Sequence, residues 1–253
     1  LAEDKDFNGW HFTSYDNPLL DPEEIQSAEK SMSRYSFRQE FLASFEAQGS
    51  ELFKEEDVKF LEKEPDEGEF YVAIDLAGFT DVNKVKTKTR HLDESAISIV
   101  KVSTLGWWVA DIVHGRWGVE DTARRIFETV RDYKPISVGI EKGIAKNAVL
   151  PYITTLMKEK NRFFRIEELT HGNKKKVDRI VWALQGRFEH GKISLAKGSW
   201  NALFLDQLFQ FPNPLVHDDL IDSLAYIDQL AEVAYNMDMD IDEFEPMDAY
   251  AGY

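Results

Sequence analysis

The chain has 253 residues, of which 43% are hydrophobic and 30% are charged, so it can bury one sizeable core. It contains no cysteine, which excludes disulfides and thiolate metal sites, and no run of about eighteen apolar residues that would span a membrane. Its formal net charge of −16 argues against binding of nucleic acid by overall attraction.

Residues 1–68 are predicted to form an N-terminal helical arm. Asp21 is placed to cap a helix, with a proline at the first helical position and two glutamates in the first turn. A second helix is expected over residues 35–47, and it carries three aromatic side chains at four-residue spacing, Phe37, Phe41 and Phe45. The polar run 64–68 contains a proline and a glycine and is the expected end of the arm.

From Glu69 onward, apolar strand patterns alternate with amphipathic helix patterns. Strands are predicted at residues 70–74, 96–102, 107–113, 136–140, 163–166 and 192–195. Helices are predicted at residues 119–133, 145–160, 175–188, 200–209 and 218–235. Three of the tryptophans, Trp107, Trp108 and Trp182, fall in these patterns and are predicted to be core residues.

The order of these elements predicts the fold class. Three early strands in a meander, followed by parallel strands with crossover helices, form the arrangement of ribonuclease-H-like domains. We therefore predict an α/β fold for residues 69–235, with a ribonuclease-H-like mixed sheet flanked by helices. Residues 236–253 hold six acidic residues and no Lys or Arg, which predicts a solvated, disordered tail.

Acidic residues stand at the ends of three of these elements. Asp75 closes the apolar strand FYVAI, Glu141 closes the strand SVGI, and the run HDDLID at 217–222 opens the last helix. Carboxylates in such positions can converge and hold two hard divalent cations, and a pair of that kind cuts phosphodiester bonds. Each residue also has an ordinary interpretation, as a turn residue, as a surface partner of Lys142, or as a favourable helix start.

The run 217–222 places like charges on one helix face. Asp219 and Asp222 are three residues apart, and Asp218 and Asp222 are four apart, which costs stability in an ordinary helix. A divalent cation would reverse that cost, and oxygen ligands suit Mg²⁺ or Mn²⁺. His217 can be a ligand, a group that supports a ligand, or a residue that only starts the helix.

A local excess of positive charge covers residues 158–192, with ten Lys or Arg against five Asp or Glu. Four of these residues lie at a turn that enters a helix, where positive charge opposes the helix dipole. Contact with DNA phosphates would account for that placement, and a solvated helix start is the alternative. The predicted DNA-binding residues are Lys174, Lys175, Lys176 and Arg179.

Four segments resemble the C-terminal nuclease domain of the large terminase subunit of tailed bacteriophages: FYVAIDLAG, ISVGIEKG, KKVDRI…GRFEHGKISL and FPNPLVHDDLIDSLAYI. Residues 10–53 resemble the stretch that joins the ATPase to the nuclease in that family, so the resemblance covers nearly the whole chain except the tail. It implies a ribonuclease-H-like fold of the resolvase- or integrase-like kind and a site with two Mg²⁺ or Mn²⁺ ions. In that site Asp75 would bridge the ions, Glu141 would hold one, and the last ligands would be Asp219 and Asp222, with Asp218 as a rival of Asp219.

The chain contains no GxxxxGK[ST] phosphate-binding loop and does not begin with Met, so we expect the nuclease portion of a larger protein, following a missing ATPase domain. The expected function is metal-dependent cutting of double-stranded viral DNA concatemers during genome packaging. The resemblance implies the host cytoplasm as the location, no membrane, and the terminase small subunit and the portal as partners. Two alternatives stay open: a junction-resolving or transposase-like nuclease of the same fold, and a non-catalytic docking module of the packaging motor.

Overall fold

The computed structural model of the protein describes residues 12–32, 37–38, 40–43, 52–78, 94–170 and 175–231. Within these ranges the chain forms a seven-stranded sheet in the order β1-β7-β4-β3-β2-β5-β6. The strands are β1 (Lys59–Phe60), β2 (Glu69–Asp75), β3 (Ser95–Ser103), β4 (Gly106–Gly115), β5 (Ser137–Glu141), β6 (Glu167–Leu169) and β7 (Ile193–Leu195).

The centre of the sheet is an antiparallel meander of β2, β3 and β4, and parallel strands extend it on both sides. β5 pairs with β2 and β6 pairs with β5 on one side, while β7 pairs with β4 and β1 pairs with β7 on the other. The last five residues of β2 are all buried, as expected for a nearly continuous apolar run in a strand covered on both faces. The predicted mixed sheet is therefore confirmed.

Helices cover both faces of the sheet. The helices of the described residues are α1 (Pro22–Ser31), α2 (Val119–Tyr133), α3 (Ile144–Glu159), α4 (Lys176–Glu189), α5 (Asn201–Gln210) and α6 (Asp219–Ala225), with further helical residues at 37–38, 40 and 227–231. One core cluster joins α2 and α3 to one face of the sheet, and a second joins α4, α5 and α6 to the other. Among the described residues, no helix is both long enough and apolar enough to cross a membrane.

Two edge strands and one tryptophan differ from the sequence-based predictions. β6 lies at 167–169 instead of 163–166, because pairing with β5 determines its position and Phe163 is left 67% exposed. β1 has only two residues, which is too short for a sequence period to reveal. Trp107 and Trp108 are buried as predicted, but Trp182 is 58% exposed because it lies off the buried stripe of α4.

The helical arm stays a prediction, although one of its two expected helices is observed. Asp21 caps α1, since its Oδ1 accepts a hydrogen bond from the backbone N–H of Glu23 at 2.8 Å. The rings of Phe37 and Phe41 stack with their centroids 5.1 Å apart, while Phe45 and most of the second predicted helix lie outside the described residues.

Two stretches within the predicted arm contact the sheet and its core. Leu52 and Phe53 are buried in the core cluster that α4, α5 and α6 share, and β1 pairs with β7. The division into an arm at 1–68, a nuclease domain at 69–235 and a tail at 236–253 stays a prediction, and the tail lies outside the described residues.

Two buried polar contacts hold the start of α6 against the rest of the fold. The hydroxyl oxygens of Ser98 on β3 and Ser223 on α6 are 2.7 Å apart, and Ser223 donates to the carbonyl of Leu220. The Oε1 atom of Gln207 on α5 accepts a hydrogen bond at 2.9 Å from the backbone N–H of Leu220, a group that α6 cannot satisfy itself. These contacts place the first turn of α6 beside the end of β2.

The contact of Gln207 with α6 leads to a stability prediction. Gln207→Met keeps the size of this buried side chain but leaves the N–H of Leu220 without a partner, so we expect a loss of about 1–3 kcal/mol in the free energy of unfolding. Urea denaturation measures the loss. Gln210→Met is the matched control, because Gln210 is exposed on the same helix and should change stability by less than about 0.5 kcal/mol. Equal losses in both variants would contradict the assigned role of Gln207.

Candidate active site

Acidic side chains from distant parts of the chain surround one pocket of about 320 Å³. The pocket lies where β2 and β5 end and where α6 begins. It is lined by Asp75, Leu76, Ala77, Gly78, Glu94, Glu141, Lys176, Asp218, Asp219 and Asp222. The fold therefore brings together all five of the carboxylates that the sequence singled out, together with one more, Glu94.

The sheet topology explains why the first two carboxylates meet. β2 and β5 are parallel neighbours, and their register pairs Ile74 with Ile140. The next residue on each strand is acidic, so Asp75 and Glu141 project from the same edge of the sheet, where α/β sheets usually place their ligands. The neighbouring strand β3 and the docked helix α6 close the other sides.

Asp75 sits in an environment that resists its ionisation. It is only 9% exposed, and burial raises the pKa of its carboxyl group well above the ordinary value. A hydrogen bond with Glu141 and the negative charges of Asp222 and Glu141 act in the same direction, and only the nearby Lys176 opposes them. Ionisation of the Asp75 carboxyl group is therefore disfavoured until a stronger counter-charge is present.

The ammonium group of Lys176 provides positive charge at the opposite wall of the pocket. Its Nζ atom lies 2.7 Å from Oδ1 of Asp218 and 2.9 Å from Oδ2 of Asp222. Burial disfavours the charged amine, but the two carboxylates outweigh burial and raise the pKa of Lys176 above its ordinary value. The side chain is 40% exposed, so it contacts the carboxylates and also reaches solvent at the mouth of the pocket.

The other predicted DNA-binding residues differ in position. Arg179 is 7% exposed and donates to Oδ1 of Asp222, because it lies on the face of α4 that packs inward. A guanidinium buried in this way does not fit the predicted contact with the DNA backbone. Lys175 is exposed at the start of α4, where its DNA contact stays a prediction, and Lys174 lies outside the described residues.

Asp219 is held by its neighbours on a third side of the pocket. Its Oδ2 atom accepts a hydrogen bond at 2.9 Å from the backbone N–H of Glu94, and Nδ1 of His217 lies 3.7 Å from the same oxygen. The Glu94 carboxylate in turn lies 2.9 Å from Nδ1 of His114. His217 is therefore placed beside a carboxylate of the pocket, and its role as a group that supports a ligand stays a prediction.

Glu94 was not recognised from the sequence, although a signal for it existed. The antiparallel pairing of β2 with β3 sets Asp75 opposite Ala96. Residue 94 must then lie beside the chain that leaves β2, next to the predicted acidic site. The register of the hairpin was needed to draw that conclusion, and apolar patterns alone do not give it.

The donor set of the pocket fits a hard divalent cation. As the side chains stand, no three Asp, Glu or His residues in the described parts of the chain are close enough to hold a metal ion. Two oxygens are bonded to Lys176, and the Asp75 and Glu141 carboxyls share a hydrogen bond. A divalent cation would replace both compensating contacts, since carboxylate oxygens are the ligands that Mg²⁺ and Mn²⁺ prefer.

The solved structures that resemble the fold of this chain include two terminase structures. The large terminase of the thermophilic bacteriophage D6E superposes with a TM-score of 0.58 at 10% sequence identity, covering 86% of this chain and 53% of the phage protein. The human cytomegalovirus terminase nuclease domain, soaked with manganese and with an inhibitor bound, superposes with a TM-score of 0.51 at 11% identity, covering 74% of this chain and 97% of that domain. At these identities the likeness shows the fold alone.

The sequence itself identifies the family. No curated protein sequence matches the chain. The family described as the terminase RNaseH-like domain matches residues 72–228, a segment that includes Asp75, Glu141, Asp219 and Asp222. The chain spans only about half of the D6E large terminase, at 53% of its length. Because the family match covers more than half of the sequence and agrees with the observed fold, the chain belongs to the terminase RNaseH-like domain family.

Proposed function

We propose that this chain is a metal-dependent endonuclease that cuts double-stranded viral DNA concatemers during genome packaging. One observation carries the proposal: the carboxylates of Asp75, Glu141, Asp219 and Asp222 line a single pocket at the ends of two parallel strands. The family supports it, because the matched relatives are terminases and terminase nuclease domains. The terminase small subunit and the portal as partners, and the host cytoplasm as the location, follow from the same family membership as further proposals.

The carboxylates would serve as ligands for two Mg²⁺ or Mn²⁺ ions. Asp75 and Glu141 would contribute from the sheet edge, and Asp219 and Asp222 from α6, with Asp218 as a rival of Asp219. His217 would support Asp219 from its position 3.7 Å away. When bound, such cations activate water and offset the negative charge of the phosphate, which is the chemistry of phosphodiester hydrolysis.

The other residues of the pocket would bind and orient the DNA strand. Lys176 is partly exposed and is tied to Asp222 by an ion pair at 2.9 Å. Once a cation neutralises the Asp222 carboxylate, the ammonium group of Lys176 would be free to contact a DNA phosphate at the mouth of the pocket, beside Lys175. Because positive groups placed in this way contact phosphates and not base edges, we expect little sequence preference in cutting.

Electrostatics would make cutting strictly dependent on the cation. The pocket gathers six carboxyl groups against one lysine, so it repels a DNA phosphate until cations bind. The same repulsion is one of the causes that raise the pKa of Asp75.

Removal of a pocket carboxylate is the direct test of the activity. Asp75→Asn keeps the size of the side chain but removes its charge. Because a lost cation ligand removes several kcal/mol of transition-state stabilisation, we expect plasmid cleavage with Mn²⁺ to slow by about a thousandfold. Asp121→Asn is the control, because Asp121 forms an exposed pair with Arg124 at 3.1 Å and should leave the rate unchanged. Equal cleavage by wild-type protein and Asp75→Asn would overturn the proposed site.

The same assay separates the alternatives. Strong preference for four-way junctions over linear duplex would favour a junction-resolving nuclease. A wild-type protein that neither cuts DNA nor binds Mn²⁺ in calorimetry would favour a docking module, in which the acidic pocket has no catalytic use.

The raised pKa of Asp75 also predicts a stability effect. A carboxyl whose folded pKa is raised contributes stability below its ordinary pKa and loses that contribution as pH rises through the raised value. In EDTA, Asp75→Asn should therefore melt at a higher temperature than the wild type at neutral pH, and the difference should shrink towards acid pH. Adding Mn²⁺ should reverse the order, since it stabilises only the protein that retains its ligands. A wild type that is the more stable of the two in EDTA at neutral pH would contradict the described repulsion.

A further inference from the structure

Arg179 and Asp222 form a buried ion pair directly behind the acidic pocket. The side chain of Asp222 is 3% exposed and that of Arg179 is 8% exposed, and Nη2 of the arginine donates to Oδ1 of the aspartate. The guanidinium carbon lies 4.1 Å from the centroid of the Tyr226 ring, which is itself fully buried. The planar group is therefore fixed by a charged partner on its edge and an aromatic ring on its face.

The other buried N–H groups of Arg179 make no hydrogen bonds to the described residues. They belong to the Nε and Nη1 atoms. A buried charge with unsatisfied N–H groups is costly, and packing alone would be served better by an apolar side chain. The polar contact that this arginine makes in the described parts of the chain is its ion pair with Asp222.

We propose that Arg179 is a positioning residue that fixes the orientation of Asp222 for cation binding. The inference rests on the proposed function and deepens it. Arg179 holds Oδ1 from the protein interior, so that Oδ2 faces the pocket, where it contacts Lys176 at 2.9 Å. Arg179 is a fixed partner, whereas Lys176 is the exchangeable one that a cation displaces. A carboxylate held by one oxygen needs no reorientation when the cation arrives.

This role differs measurably from contact with DNA. A phosphate contact would lower DNA affinity and reduce its salt dependence when removed. A positioning role would instead lower the affinity for the cation, and it would leave DNA affinity in EDTA unchanged.

The chain contains a matched control on the same helix. Arg187 pairs with Asp228 at 2.7 Å, and its guanidinium carbon lies 4.3 Å from the ring centroid of Trp107. Like the pair of Arg179 with Asp222, this pair joins α4 to a helical segment near residue 225, and its guanidinium group stacks on an aromatic ring. Trp107 lies at the start of β4, whereas the acidic pocket lies near its other end, so this pair is remote from the site.

The test compares Arg179→Lys with Arg187→Lys in the full chain. Both variants keep the charge but lose the planar group. Calorimetry with Mn²⁺ should show a loss of affinity of about 10–100-fold for Arg179→Lys, the range found for residues that orient metal ligands, and no change for Arg187→Lys. Binding of linear duplex DNA in EDTA, followed across salt concentrations, should be the same for both variants and the wild type.

Each other outcome has a defined meaning. Wild-type Mn²⁺ affinity in folded Arg179→Lys overturns the inference while leaving the proposed function intact, and so does an equal loss in both variants. Weaker binding of duplex DNA in EDTA by Arg179→Lys alone restores the DNA-contact interpretation instead, because lysine cannot replace the bidentate contact of arginine with a phosphate. A wild-type protein that neither binds Mn²⁺ nor cuts DNA overturns the proposed function, and the inference with it.

A measurement on the wild type covers the case in which Arg179→Lys does not fold. Arginine side-chain NMR should show a guanidinium of Arg179 whose rotation is hindered both without and with Mg²⁺. A guanidinium that begins to rotate freely when Mg²⁺ binds would show that Arg179 releases Asp222, which overturns the inference.

Discussion

The mutual repulsion of carboxylates in one partly buried pocket is the constraint on which the rest of this structure depends. Burial of a single Asp is costly, and burial of several together is tolerated only when protons or cations compensate them. Here three compensations are visible: the contact between Asp75 and Glu141, the ammonium group of Lys176, and the guanidinium group of Arg179. A site compensated in this way is prepared for a divalent cation, which can replace the first two while the third stays in place.

The surrounding fold keeps these carboxylates close together despite their mutual repulsion. The parallel pairing of β2 with β5 sets two carboxylates side by side, and the buried contacts of Ser98 and Gln207 hold α6 against the sheet. The buried carboxylates of Asp75, Asp219 and Asp222 are thus held by elements that are anchored in the core. The stability lost to repulsion is offset by the two core clusters on either face of the sheet.

The features that depend on local sequence patterns were predicted. Those that depend on strand register, or on which face of a helix is buried, were missed. The apolar run of β2 and the acidic residue that ends it are visible in a single strand, and family resemblance connected Asp75 with Glu141 and with α6. The short strands β1 and β6 take their positions from pairing, which a sequence period does not contain. Glu94 depends on the register of the hairpin, and the burial of Arg179 depends on which face of α4 turns towards α6.

Whether the pocket binds divalent cations is the central question, and a crystal soaked in Mn²⁺ answers it most directly through the anomalous scattering of the ion. We predict two peaks in the pocket, with oxygens of Asp75, Glu141 and Asp222 among their ligands and with the ammonium group of Lys176 displaced from Asp222. A soaked crystal with no peak between these carboxylates, or with Lys176 still bonded to Asp218 and Asp222, would contradict the account.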